Sequence, residues 1–498
     1  MQRFKSKRGS ILLVTMIFAG AIAIFLGTYL TISVTALQMS NRSVYANTAS
    51  NLVDTGLDEV MWVLNHDAQN WTGAGFASAT VNGVTGYRKT FDYSSHLSNG
   101  LAGKVNVWVN PNVSVPVNGV PTTGIQTVAE AVLTLPATSI NTTQAPIIKE
   151  AEAYMVPSSV FPGSIIAKKS VNMNGLIDSY NSNNGPYDPA TARANAEVGS
   201  PDVLINSVNV GQAKIAGGVL VGGSSNSGDL TLGTKGSVGD ANWVANQTGV
   251  ETGHATYNFT TSFPDVTTPS PTTVNTISSG INGGSTTLPR AGDSAVTVSG
   301  VTTYFYNINS ISLNGNGDTV NIGASSSSKV NVVIILTNPM TDISIGGKGS
   351  LNIASGSNLT MYAPGSVSIG GNGVLNGGSS DSTVNPPTSF QVYGTQTAAQ
   401  TAASGSDQNI SISGNGVLSG AIYAPNASIS LNGGGSAGEV LGAMVGDLVT
   451  INGSHYPFHY DEALANLPNP NGLWTATKYR ELFNASDRAV YAAYFPSQ

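Results

Sequence analysis

The sequence predicts a mainly β protein led by one long N-terminal α-helix. A small sheet follows, and then an irregular right-handed parallel β-helix, or solenoid. Three observations predict this. No charge occurs from Gly9 to Asn41. A phrase of alternating apolar residues closed by Asn and Gly recurs from Val171 to Gly453. Charged residues make up only 9% of 498, against about 25% in an ordinary soluble domain.

The first element is a membrane-type helix. The run from Ile11 to Leu37 is roughly 40 Å long as a helix, enough to cross a hydrocarbon core of about 30 Å. Arg3, Lys5, Lys7 and Arg8 precede it, and that cation excess predicts a cytoplasmic leader. The remainder is then expected outside the cytoplasm. Three readings fit the segment. A cleaved secretory signal could use Ala21 and Ala23, although the apolar run continues well past them. An uncleaved signal anchor is the second. In the third, a short basic leader, residues 1–9, is removed between Gly9 and Ser10.

The helix is expected to continue to about residue 67. Leu52, Val53, Leu57, Val60, Met61 and Leu64 recur at three- and four-residue spacing as one apolar stripe. Asp54, Asp58 and Glu59 fall largely off it. From residue 68 to 160 the pattern changes to alternation. The segments 104–109, 128–135 and 147–156 read as strands of a small antiparallel sheet packed on the helix.

With these residues in view, the N-terminus resembles that of PilX-type minor pilins. The matching features are a leader ending Lys-Arg-Gly-Ser, an apolar helix, and Asn51-Leu-Val-Asp-Thr-Gly-Leu-Asp-Glu-Val60. It is also similar to the K-type pseudopilins of type II secretion. The resemblance implies cleavage by a prepilin peptidase after Gly9. It implies a helix that anchors in the inner membrane and then assembles with other pilin or pseudopilin subunits, with Val14, Phe18 and Leu26 on its membrane and assembly surface. Major pilins carry Glu at the fifth mature position, where it pairs with a neighbour's terminal amine. Here that position is Val14, which implies a minor or tip-located subunit.

Residues 161–467 are expected to form the solenoid. The phrases are Val171-Asn-Met-Asn-Gly175, Ile311-Ser-Leu-Asn-Gly315, Ile343-Ser-Ile-Gly-Gly347, Val367-Ser-Ile-Gly-Gly371, Ile410-Ser-Ile-Ser-Gly414, Ile429-Ser-Leu-Asn-Gly433 and Val449-Thr-Ile-Asn-Gly453. Alternate Ile, Val and Leu point inward, Ser and Thr point outward, and Gly turns the corner. A Ser/Thr/Pro-rich excursion is expected near Thr267 to Pro289. The last rungs, with Gly420-Ala-Ile-Tyr-Ala-Pro425 and Phe458-His-Tyr-Asp-Glu-Ala-Leu464, resemble the C-terminal domain of unknown function of PilX-like proteins. They are also similar to solenoid domains of surface adhesins. Ile177-Asp-Ser-Tyr-Asn-Ser-Asn-Asn-Gly-Pro-Tyr187 fits the start of the same region. Residues 468–498 read as a cap over the exposed last rung, or as a docking tail.

One constellation invites chemistry: His455, His459, Asp461 and Glu462. Pro457 between the histidines argues against a shared helix face. The alternative is a structural motif in which Phe458 and Tyr460 are buried and Asp461 caps a helix beginning at Glu462, with His459 beside them. No cofactor, metal or catalytic residue is assigned.

Three function classes remain: a non-enzymatic minor pilin-like component, an adhesin binding a surface or polysaccharide, and a polysaccharide-active β-helix enzyme. The last needs clustered carboxylates or a catalytic cation. Asp318, Asp342, Asp381, Asp407, Glu439 and Asp447 are isolated in sequence, and no Lys or Arg occurs between Lys348 and Lys478. That gap and the net charge of −7 argue against nucleic acid. Cysteine is absent, so no disulfide or thiolate site exists.

Overall fold

The structure is a computed structural model. It describes residues 8–67, 69–98, 100–117, 120–136, 145–298, 301–323, 329–377, 385–413, 418–432, 438–452, 457–467, 469 and 471–495. The chain is mainly β and divides into two compact units. One comprises Met1–Val117, Pro121–Val156 and Trp474–Gln498, the other Asn118–Val120 and Pro157–Leu473.

In the first unit a single helix runs from Arg8 to His66. Its two halves have opposite surroundings. Every side chain from Leu13 to Val44 except Ala21 is exposed, while Leu52, Val53, Leu57, Val60, Val63 and Leu64 are buried. The predicted stripe is there, with Val63 fully inside and Met61 at its margin. It packs on a six-stranded sheet. The strands Ala77–Val81, Val84–Asp92, Ala102–Val117, Val120–Thr134 and Ile147–Pro157 lie in that order, followed by Trp474–Glu481.

The last of these corrects the sequence reading of the tail. Residues 474–495 belong to the first unit. They extend the sheet beside Ile147–Pro157 and then cover its face opposite the helix, where Leu482, Tyr491 and Phe495 pack with Trp108 and Val128. The Glu152 carboxylate pins them. It accepts from Gln126 Nε2 (2.6 Å), Tyr154 Oη (2.8 Å), Tyr491 Oη (2.5 Å) and Arg480 (2.9 Å). Burial alone would raise its pKa; those donors outweigh burial and hold it low. Phe483 and Val490 of the same tail remain exposed.

The second unit is built of stacked parallel ladders, and the recurring phrases supply one of them. Ile281, Ile311, Ile343, Val367, Ile410, Ile429 and Val449 stand in register, each on the next. The intervening Ser312, Ser344, Ser368, Ser411, Ser430 and Thr450 face away from the core. A second inward column runs Tyr306, Ile334, Met361, Val392, Ile422 and Met444. A third wall stacks Ser285–Leu288, Thr319–Ile322, Ser350–Ile353 and Val374–Asn376. Each fully buried Ile, Leu or Val contributes about 1.5–3 kcal/mol, and the low charge of the chain follows from the small polar residues left outside.

The rungs do not stack in chain order. Val449 is followed in space by Val171, then Val208 and Leu230. Met444 is followed by Ile165, Val198 and Val219. The chain therefore enters mid-stack at Ile165–Asn172 and builds rungs away from that point to Ala255–Tyr257. It crosses back through residues 258–274 and builds from Asn275–Ile277 toward its own start. The strand Val440–Ile451 is paired on both edges, by Leu418–Asn432 and by Ile165–Asn172. Both edges of that strand are therefore met within the second unit itself. The predicted excursion is also shorter than expected: Asn275–Ile277, Ile281–Asn282 and Ser285–Leu288 already form rungs.

The crossing segment is tied to the end of an aromatic column. Tyr362, Tyr393 and Tyr423 are in register on the outer side of the second column. Their rings follow one another at 5.3 and 6.5 Å. Tyr423 donates to the Pro264 carbonyl (2.8 Å), and Asp265 accepts from Asn426 (2.7 Å).

Two glycines are obligatory for the stacking. Gly371 turns a corner at φ +64°, and a Cβ there would lie 2.4 Å from the Gly347 carbonyl oxygen. At Gly442, with φ +149°, a Cβ would sit 1.8 Å from the Gly420 oxygen. Gly442→Ala is expected to destabilise the second unit by at least about 3 kcal/mol, read as the loss of its cooperative transition in thermal or urea unfolding. A variant melting with the parent chain would show that this rung spacing is not required.

Candidate functional site

The chain meets itself at a seam where Val440–Ile451 and Phe458–Asp461 lie against Ile165–Asn172 and Leu176–Tyr180. Phe458 pairs with Ile177, His459 with Asp178, Tyr460 with Ser179 and Asp461 with Tyr180. The two phrases singled out in the sequence, 177–187 and 458–464, are thus direct neighbours. Phe458, His459, Tyr460 and Asp461 are buried, because alternate positions of a strand covered on both faces have no solvent side.

His459 is the centre of the seam. Its Nδ1 lies 2.5 Å from Asp178 Oδ1, and its Nε2 lies 3.6 Å from Glu439 Oε2. Tyr187 donates to the other Asp178 oxygen at 2.8 Å and stacks on the imidazole with centroids 3.8 Å apart. Burial works against the imidazolium, but the hydrogen bonds and charges of Asp178 and Glu439 outweigh it. The His459 pKa therefore lies above the ordinary value. Burial, with Asp178 beside it, pushes the Tyr187 phenol up, so it remains a donor.

Two further clasps flank this pair. Asp461 Oδ1 accepts from the backbone N–H of Ala463 (3.1 Å), at the N-cap of the short helix Glu462–Asn466, and from that of Ser182 (2.9 Å). Glu462 accepts from Ser179 (2.8 Å) and Asn195 (2.8 Å) and pairs with Arg193 (2.7 Å). On the adjoining wall Lys169 pairs with the buried Asp447. Apart from the local Asp461–Ala463 cap, each of these links joins the segment before the crossing to the segment after it.

His455 and Asp381 lie outside the described residues. Among the described residues no group of three or more His, Asp or Glu side chains is placed to hold a metal ion. The remaining singled-out carboxylates are separately engaged. Asp318 accepts from Gly284 and Gly315 backbone N–H groups, Asp407 from Ser428, and Asp342 from Gly365. Gly9 and Ser10 lie in the first turns of the helix. Val14, Phe18 and Leu26 are exposed on it, Phe18 by 65%.

Sequence reasoning missed Asp178, Glu439, Tyr187 and Arg193 as partners of the 458–462 motif, because 281 residues separate His459 from Asp178. It also missed the Tyr column. The signal was present as Met361-Tyr-Ala-Pro364, Val392-Tyr-Gly-Thr395 and Ile422-Tyr-Ala-Pro425, with one Tyr directly after each inward residue.

Residues 268–467 match the model of a domain of unknown function (DUF7305). The match begins in the crossing segment and ends after Glu462, so it holds one side of the seam without the other. No curated protein matches the sequence. Among solved structures, the competence-associated pilin ComZ from Thermus thermophilus aligns with 76% of this chain and 87% of its own. The sequences are 11% identical and the TM-score is 0.26, below the level of a shared fold.

Two predictions follow from the electrostatics. His459 has a raised folded pKa, so its contribution is full below about pH 6.5 and is lost as pH rises through the folded value. His459→Gln should remove that decline in unfolding free energy on the alkaline side. It should also cost about 3–5 kcal/mol near neutrality by leaving a buried carboxylate unpaired. Parallel pH profiles for parent and variant would rule out a charged pair. Burial raises Asp342 to about 7, again a stability lost with rising pH. Asp342→Asn should gain on the parent steadily between about pH 4 and 7; an unchanged gap in urea titrations would contradict the buried charge.

Proposed function

We propose that this chain is a non-enzymatic, minor pilin-like component of a type IV pilus or a related secretion system. Its N-terminal helix anchors it in the inner membrane and then among other pilin or pseudopilin subunits. Its second unit is carried outside the cell as a right-handed parallel β-helix. The observation that carries this reading is the division of one unbroken helix. From Leu13 to Val44 it has an exposed apolar surface, and from Ala49 to Leu64 it forms the core of its own unit. A helix this long and apolar can cross a membrane by length and composition. Its hydroxyls suit that surrounding: Thr28, Thr31 and Thr35 each donate to the carbonyl four residues back.

Val14 stands where a stacking subunit carries its pairing carboxylate, and this favours a minor or tip-located subunit. The Lys-Arg-Gly-Ser leader supports recognition by a prepilin peptidase. The polar outer faces of the ladders suit display in water. The adhesin reading concerns the same displayed unit and is a second role for it, toward a surface or polysaccharide ligand.

Edman or mass-spectrometric sequencing of the chain from its native membrane tests the proposal. A mature N-terminus at Ser10 is the expected outcome. A start near Ile22 or Ile24 would mean an ordinary secretory signal, and the assembly helix would then be destroyed.

A further inference from the structure

A cavity of about 430 Å³ opens beside the seam, lined by Phe161, Pro162, Arg193, Asn195, Glu197 and Tyr460 among others. Its size is that of a small-ligand site. The polar groups around it are unevenly used. Arg193 spends one arm on Glu462 at 2.7 Å, and Asn195 donates its amide N–H to the same carboxylate. The Glu197 carboxylate bears no hydrogen bond or ion pair among the described residues. Its backbone, by contrast, is fixed: Ser164 donates both its N–H (2.8 Å) and its hydroxyl (2.5 Å) to the Glu197 carbonyl. Tyr460 is only 5% exposed, yet its hydroxyl takes no partner among the described residues. The ring is buried while the hydroxyl itself stays accessible at the cavity wall. Burial, with Asp461, Glu197 and Glu462 nearby, pushes that phenol up, so it is available as a donor.

The wall therefore offers a free acceptor at Glu197 and a free donor at Tyr460. Arg193 adds its uncommitted guanidinium N–H groups. Pro162 supplies an exposed apolar face beside this polar set, while Phe161 is buried beneath it. The charges select the ligand. Glu197 and Glu462 oppose an anion, while the Arg193 guanidinium in the same wall opposes an ammonium or guanidinium group. What suits all of them is a neutral molecule with several hydroxyls and one apolar C–H face. We infer that this cavity is a binding site for a neutral sugar residue, with Glu197 and Tyr460 bonding its hydroxyls and Pro162 bordering its C–H face.

The site goes beyond the anchoring reading and does not rest on it, because binding can be read on the full chain in detergent without any fibre. The test titrates that protein with glucose, galactose, mannose and N-acetylglucosamine, and with lysine as the cationic control, by calorimetry and saturation-transfer NMR. At least one sugar is expected to bind saturably, and lysine is not. Tyr460→Phe and Glu197→Gln should each weaken binding by about tenfold. Tyr460→Phe should leave the melting temperature unchanged, since it removes only an unpartnered hydroxyl. Absence of saturable sugar binding, preferential binding of lysine, or sugar binding that survives both substitutions would each overturn the assignment.

Discussion

The second unit depends on one requirement of parallel sheets: a rung's edge hydrogen bonds must be met by another rung or by something that replaces it. Most of the stack meets it by simple succession. At Val440–Ile451 the chain meets it by returning to Ile165–Asn172, which was laid down nearly 300 residues earlier. Backbone pairing there specifies little, because one parallel edge resembles another. Specificity comes from the side chains. The His459–Asp178 pair, the Asp461 cap over Ser182, the Glu462–Arg193 bridge and Lys169–Asp447 each mark a unique register. Buried ionic groups add little net stability but penalise misalignment, since a one-rung slip leaves a charge unpaired in the interior.

The same requirement explains the crossing segment. A chain that builds in one direction and resumes at the other end must run back along the stack. Residues 258–274 do so with Pro264 held by Tyr423 and Asp265 fastened to Asn426. The outer side of that wall therefore carries a column of tyrosines, while the outer side of the phrase ladder carries Ser and Thr.

In the first unit the helix shows how one element serves two surroundings. Its apolar residues are continuous to Leu37, then narrow to a stripe between Ala49 and Leu64. That change was legible in the sequence, because helical periodicity needs only local residues. The strands 102–117, 120–134 and 147–157 were legible for the same reason. The tail was not. Trp474 to Phe495 contains aromatic residues suited to covering something, but whether that was a rung or a sheet is fixed by Glu152, Trp108 and Val128, more than 300 residues away.

The sequence by itself determined the apolar helix and its length, the mainly β composition, the inward and outward faces of each phrase, and the absence of any cysteine chemistry. These rest on short-range patterns that water and backbone geometry read directly. Only the tertiary structure decided the order of the rungs, the partners of His459 and Glu462, and the cavity beside Tyr460. Those depend on which equivalent edge a strand meets, and in a repetitive sequence many edges look alike. The choice falls to a few charged and aromatic side chains whose partners become apparent only when distant segments are brought together.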